Sequence, residues 1–379
     1  MRFALALTVL LSILTAAHVY LWFRYIRGPG WSRGLQRGLT LGLVVLGTSI
    51  PFGFAVARGL PRSSGSLLAY VAFGWLGVLF FFGVLSGLAE IIRGGRWLKK
   101  RTNGSPEDPE RRQVFERGLT LAVGASTGLG SSWALASGMR EAGLKEVEVG
   151  LERLPKHLDG MSLVQISDVH IGPTLGCDFM REVAETIRGA KPEMLFVTGD
   201  LVDGSVEQLR EHVAPLGQLR PRHGAYFITG NHEYYSGAEA WCQELSRLGV
   251  RVLRNEWVRP LPGLQLVGVD DYDHQQGAGS RIAPELDRDE ETILLAHRPQ
   301  SIPEAEALGA GLQISGHTHG GQIYPMAEIV RLTTPYVAGL YQHDTRTQIY
   351  VSRGTGYWGP PMRLAAPAEV TRIVLRSKA

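Results

Sequence analysis

The 379 residues are 44% apolar and carry a formal net charge of +3, which excludes a disordered chain and leaves room for two or three folding units of about 150 residues each. The near-neutral total hides a division: residues 1–140 hold 16 Lys/Arg against 5 Asp/Glu, a net of +11, while residues 141–379 hold 23 against 31, a net of −8, with ten of the 11 histidines. The acidic second part argues against nucleic-acid binding, and two cysteines, Cys177 and Cys242, are too few for a disulfide framework or a cysteine zinc site.

Four charge-free runs, residues 3–23, 39–56, 67–89 and 119–139, approach the ~20 residues that cross ~30 Å of hydrocarbon. The first exceeds the ~7–15 apolar residues of a signal peptide and three more follow it, so it reads as a retained span. The second contains Pro51, which a membrane helix tolerates with a kink. The fourth is rich in Gly, Ala and Ser, small residues suited to close helix packing. Twelve Lys/Arg lie in the segments joining spans one to two and three to four, from Arg24 to Arg37 and from Arg93 to Arg117, which makes those segments cytoplasmic. With four spans, residues 141–379 lie outside the cytoplasm; with three they would lie inside. His18 alone is titratable well within a run, so a membrane anchor is expected rather than a channel or transporter. Residues 1–140 are thus read as an all-α membrane domain of about four transmembrane helices, and 141–379 as the soluble domain.

From Val147 the pattern changes to short apolar runs separated by helical stretches. Strands are expected at Val147–Leu151, Leu163–Ile166, Met194–Val197, Tyr226–Ile228, Leu264–Val267, Ile293–Ala296, Leu312–Ile314, Ile349–Val351 and Val370–Leu375. Helices are expected over about 178–189, 206–219 and 238–248. Strands alternating with helices imply an α/β architecture.

The polar residues gather where these strands stop. Asp168 and His170 follow the second run, Asp200 the third, and Asn231 and His232 the fourth. His297 follows the sixth, and His317 and His319 the seventh. Ligands of α/β sheets sit beyond the carboxyl ends of strands, so these side chains can converge on one site. Eight N/O donors without a thiolate suit first-row divalent cations and are too many for one ion. Two cations ~3.5–4 Å apart would clamp the attacking and leaving oxygens of a phosphoryl displacement.

The series Asp168-x-His170, Gly199-Asp200, Gly230-Asn231-His232, His297 and Gly316-His317-x-His319 resembles the calcineurin-like metallophosphoesterase superfamily. The resemblance covers about Val147 to the C-terminus, and within it the chain is similar to bacterial membrane-associated phosphoesterases of the YkuE group, which implies a bacterial plasma membrane. It implies a four-layer α/β/β/α sandwich with two inner sheets. It also implies that Asp168, His170 and His319 hold one metal, that Asp200 bridges, and that Asn231, His297 and His317 hold the second. His232 would stand off the metals, near the leaving group. The metals would be Mn, Fe or Zn, with Mn favoured. A hydroxide bridging them would attack phosphorus in line, with a protonated His232 donating to the leaving oxygen.

Asp203 and Glu233 are candidates to hydrogen-bond a ligating imidazole. Asp203 is followed by Gly204, so the Asp-Arg pair of the superfamily's protein phosphatases is missing, which argues against that class. Arg298 and Arg353 could bind phosphate instead. Tyr234, Tyr235 and Trp241 are expected around the site, and Tyr357 and Trp358, in a Gly/Pro-rich loop, are expected to be exposed at a substrate pocket or the membrane interface. Under ten residues separate the fourth span from the first strand, which points to an amphiphilic substrate such as a phospholipid or lipid-linked sugar phosphate. The alternatives are a soluble nucleotide or sugar phosphate, or a non-catalytic metal-dependent membrane sensor.

Overall fold

The computed structural model describes residues 2–59, 62–103, 108–271 and 277–378. Contacts divide the chain into two units, Met1–Ala136 with Gly359–Met362, and Ser137–Trp358 with Arg363–Ala379.

The first unit is built on α1 (Arg2–Leu21), α2 (Arg33–Gly59), α3 (Arg62–Asn103) and α4 (Pro109–Gly138). Among the described residues three stretches are long and apolar enough to cross a membrane: Thr8–Arg27, Arg33–Ala55 and Gly65–Thr102. α4 covers the fourth expected span as a 30-residue helix, but its Gly/Ser-rich middle keeps it out of that set. It nonetheless contributes Val123 to the apolar centre made by Leu21, Tyr25, Ile50, Leu79 and Ala89. Polar pairs knit one end. Arg24 and Arg93 meet Glu90 at 2.5 and 2.7 Å, and Arg93 meets Glu116 of α4 at 3.0 Å. His18 is fully engaged, its Nδ1 2.7 Å from the Leu14 carbonyl and its Nε2 accepting from Trp75 at 2.9 Å.

The described residues of the second unit place twelve strands in two sheets. The first sheet uses β1 (Gly143–Leu151), β2 (Ser162–Ile166), β3 (Met194–Thr198), β4 (Ala225–Ile228), β5 (Arg251–Val252) and β12 (Glu369–Ser377), ordered β1-β12-β2-β3-β4-β5. The second uses β6 (Glu256–Leu261), β7 (Leu264–Gly268), β8 (Glu291–Leu295), β9 (Leu312–Ser315), β10 (Gly339–Gln342) and β11 (Gln348–Val351), ordered β10-β11-β9-β8-β7-β6. Central pairs β2–β3, β3–β4, β7–β8 and β8–β9 are parallel, whereas β12–β2, β6–β7 and β10–β11 are antiparallel.

The period-2 alternation of strands explains the layers. Leu163, Phe196 and Ile228 face Leu266, Ile293, Leu312 and Ile314 across the sheet–sheet core. Their neighbours Val164, Leu195, Val197 and Phe227 pack outward on α5 (Cys177–Ala190), α6 (Val206–Val213) and α8 (Ala238–Arg247). On the far side Val267, Leu294 and Ala296 pack against α9 (Ala278–Ile282) and α10 (Ile302–Leu308). The result is an α/β/β/α sandwich. Burial on both faces is why the central strands read as mainly apolar runs rather than as strict alternation, with buried Gln165, Gln265 and Gln313 among the exceptions. Two short helices complete the unit, α7 (Asn231–Ser236) and α11 (Met326–Val330).

Candidate active site

β2, β3, β4, β8 and β9 all stop at one edge of the sandwich, and the turns that follow carry the polar residues inward. These turns are tight. Asp168, His170, Asp200, His317 and His319 all adopt positive φ, between 51° and 72°. Left-handed backbone costs about 1–2 kcal/mol per non-glycine residue, so the surroundings must hold it. The Asp168 amide donates to Gly199 O at 3.0 Å and the His170 amide to Asp200 O at 3.1 Å. Both Asp168 carboxylate oxygens accept from the His317 amide, at 2.9 and 3.0 Å. Gly199 itself sits at φ 87°, and a Cβ there would lie 2.7 Å from His297 Nδ1.

Buried Glu233 ties two of the turns together, those after β3 and β4. It accepts from the amides of Gly230 at 2.6 Å, Asp200 at 2.9 Å and Leu201 at 2.8 Å. Its partners are therefore backbone, not the imidazole expected from sequence. Burial, reinforced by the neighbouring Asp200 charge, pushes its carboxyl up to about 7.

Two groups of donors result. In one, the ligand atoms of Asp168, His170 and His319 lie within 4.8 Å of one another; in the other, so do those of Asp200, His297 and His317. Asp200 Oδ2 reaches toward both, 3.1 Å from His297 Nε2 and 4.0 Å from His170 Nε2. The imidazole tautomers are set from behind. His297 Nδ1 donates to Thr198 O at 2.8 Å and His170 Nδ1 to Asp203 Oδ2 at 3.1 Å, so their Nε2 atoms point inward. There His170 Nε2 faces His319 Nε2 at 3.1 Å, and His297 Nε2 faces His317 Nδ1 at 3.3 Å. Each contact needs a hydrogen shared between the two nitrogens, or a cation in its place.

The electrostatics express the same demand. Burial pulls every one of these imidazoles down, but Asp203 overcomes it at His170, raising it to about 9, and Asp200 overcomes it at His297, raising it to about 10. Burial holds their partners down: His317 falls to about 3 with the help of the His297 charge, and His319 is held well below the usual imidazole range with the help of the His170 charge. Each pair thus takes up one positive charge. The Asn231 Oδ1 atom is buried without a hydrogen-bond partner, as is His319 Nδ1. An orphaned amide oxygen beside paired imidazoles and carboxylates is the donor set that first-row divalent cations take.

His232 stands beside these groups. Its Nδ1 lies 2.5 Å from Asp203 Oδ1, and its amide donates to Asp200 Oδ1 at 2.9 Å. Two exposed rings flank it, Tyr235 at 5.4 Å and Trp358 at 5.7 Å between centroids. The other residues proposed from sequence are engaged with protein partners. Tyr357 is 5% exposed, packed in the helix–sheet core with Val169 and Leu175, because its loop folds inward at this point. Trp241 is likewise core, its indole donating to Gly204 O at 2.8 Å. Arg298 forks onto buried Asp271 at 2.9 and 3.0 Å, and Arg353 lies 3.6 Å from Glu369. Arg363 was not singled out from sequence. It is fully buried and donates to the carbonyls of Gly356, Ala366, Arg353 and Gly354, clamping the loop that runs behind Asp168 and His319. No local pattern marks it, since its partners are backbone carbonyls of an irregular loop.

A family profile described as calcineurin-like phosphoesterase matches residues 161–321. A transmembrane protein with metallophosphoesterase domain from Danio rerio is 30% identical over 96% of this chain and 87% of its own length. Its Bos taurus namesake is 38% identical over 82% of this chain and 74% of that one. The uncharacterized metallophosphoesterase YkuE of Bacillus subtilis is 32% identical over 70% of this chain and 98% of that one. The match to the Danio rerio protein takes in nearly the whole chain, apolar helices included, and the profile spans the strand-end turns that gather the histidines and carboxylates. This chain belongs to the calcineurin-like metallophosphoesterases, as a membrane protein with the fold and donor set of a metal-dependent phosphoric ester hydrolase.

Proposed function

We propose that the protein is a membrane-anchored dinuclear phosphoesterase acting on an amphiphilic phosphate ester, a phospholipid or lipid-linked sugar phosphate. The observation that carries the dinuclear reading is Asp200, whose Oδ2 stands between the two donor groups. Asp168, His170 and His319 would hold one cation, Asn231, His297 and His317 the other, and Asp200 both; manganese is our choice among Mn, Fe and Zn. When bound, two divalent cations polarise a phosphoryl group and lower the pKa of water. The chain's own part is positional. Thr198 O and Asp203 fix the His297 and His170 rings, and Asp203 also holds Nδ1 of His232. That leaves His232 Nε2 to carry a proton to the leaving oxygen. Tyr235 and Trp358 offer apolar surface beside that position.

The amphiphilic substrate rests on connectivity. Residues 1–140 would form the membrane domain with α4 as its fourth span, and 141–379 the catalytic domain, outside the cytoplasm of a bacterial cell. α4 ends at Gly138 and β1 starts at Gly143, so the covalent link is a few residues long. The test uses the full chain in micelles with chromogenic mono- and diesters, with added Mn²⁺ or after chelation. We expect metal-dependent turnover that falls at least ~100-fold in Asp200→Asn. Metal-loaded protein silent on both esters and on lipid esters would defeat the proposal. Equal rates on a lipid ester and its soluble headgroup ester would move the substrate to a soluble phosphate.

A further inference from the structure

The helical unit carries a second feature with definite chemistry. Where the last turn of the first candidate span, Trp22–Arg27, meets the start of α2, a cleft of about 490 Å³ opens. Arg27, Arg33 and Arg37 stand along it, and no acidic residue lines it. Gln36 and Thr40 add polar groups, with Thr40 accepting from the Trp22 indole at 3.0 Å. The far side is apolar. Leu41 and Val44 lie there, 66% and 56% exposed.

The contrast with neighbouring arginines is informative. Arg24 and Arg93 are neutralised by Glu90 and Glu116 at 2.5–3.0 Å. Among the described residues no carboxylate pairs with Arg27, Arg33 or Arg37; Arg27 instead lies over the Trp22 ring at 5.6 Å. Three like charges in one cleft repel, and their position at the ends of two candidate spans, Thr8–Arg27 and Arg33–Ala55, sets them at headgroup depth. A phosphate accepts paired N–H donors from guanidinium forks, and an attached acyl chain would cover the exposed apolar side. We propose that this cleft binds an anionic phospholipid, with its phosphate among Arg27, Arg33 and Arg37 and its acyl chains along Leu41 and Val44. The site is independent of the phosphoesterase reading.

The test is native mass spectrometry of the full chain released from micelles holding equal phosphatidylglycerol and phosphatidylcholine. Wild type should retain phosphatidylglycerol with at least about tenfold preference. The double variant Arg33→Gln/Arg37→Gln should lose that preference, while Arg111→Gln, an exposed arginine on α4, should keep it. Millimolar inorganic phosphate should not displace the lipid. Three results would overturn the proposal: no preference in wild type, a preference that survives the double variant, or displacement by phosphate, which would make the cleft a soluble-anion site. The wild-type measurement decides even if the double variant fails to fold.

Discussion

Asp203 holds two imidazoles at once, His170 at 3.1 Å and His232 at 2.5 Å. The histidine charges overcome burial and keep its carboxyl well below the usual range, so it acts as an acceptor throughout the neutral region. Asp203→Asn keeps the shape but can satisfy only part of that demand, since an amide offers one acceptor oxygen. We expect metal affinity or kcat to fall about 10–100-fold while the fold survives, read by metal titration and by circular dichroism. A fall confined to stability, with kcat per bound metal unchanged, would reduce Asp203 to a structural residue. Most of the donor set could be found from sequence because each donor follows its strand by two to four positions. Glu233 could be found but not interpreted: that its carboxyl serves amides of two separate turns is a property of how those turns meet. Arg363 answers to carbonyls of residues 353–366 in a loop with no period, so nothing local announced it.

At the scale of elements, α8 shows how the site is supported from behind. Trp241 is buried completely, among residues of β3, β4 and α6, and its indole nitrogen donates to Gly204 O in the turn after Asp203. Trp241→Ala should cost about 3–5 kcal/mol through the cavity it leaves. Trp241→Phe, which keeps most of the packing, should cost nearer ~1 kcal/mol for the lost hydrogen bond. Thermal unfolding of the two variants checks the order; equal losses would mean that the hydrogen bond matters more than the packing. The strands with mainly apolar runs were legible in the sequence because both their faces are covered. β6 and β10 were not, because they lie at sheet edges, where half-exposed and mixed positions replace the run. β5 has only two residues, too few for any pattern. In the helical unit the apolar stretches of α1, α2 and α3 stand out by composition. α4 depends on Glu116 and Val123 meeting the other helices, a tertiary fact that composition cannot carry.

At the scale of the whole molecule, five left-handed residues and three buried carboxylates, Asp168, Asp200 and Glu233, converge at one edge of the sandwich. Bound cations would compensate for them. Ligand present at about 100 times its Kd stabilises by ~2.7 kcal/mol, which for a domain of this size corresponds to roughly 5–10 °C. We therefore expect chelation to lower the melting transition of the sandwich by that amount, with the helical unit's transition unmoved, in calorimetry of the full chain. An unchanged first transition would mean that the turns are held by the protein alone. β12 carries one more consequence. It lies between β1 and β2, parallel to the first and antiparallel to the second, and joins Arg372 to Glu146 across 226 residues of chain. Every ligand-bearing turn is synthesised before it. During translation the apolar helices can enter the bilayer and both sheets can begin to assemble, yet β1 has no neighbour until β12 leaves the ribosome. The nascent domain therefore keeps an open sheet edge, and gains its complete first sheet only after every ligand-bearing turn has been made.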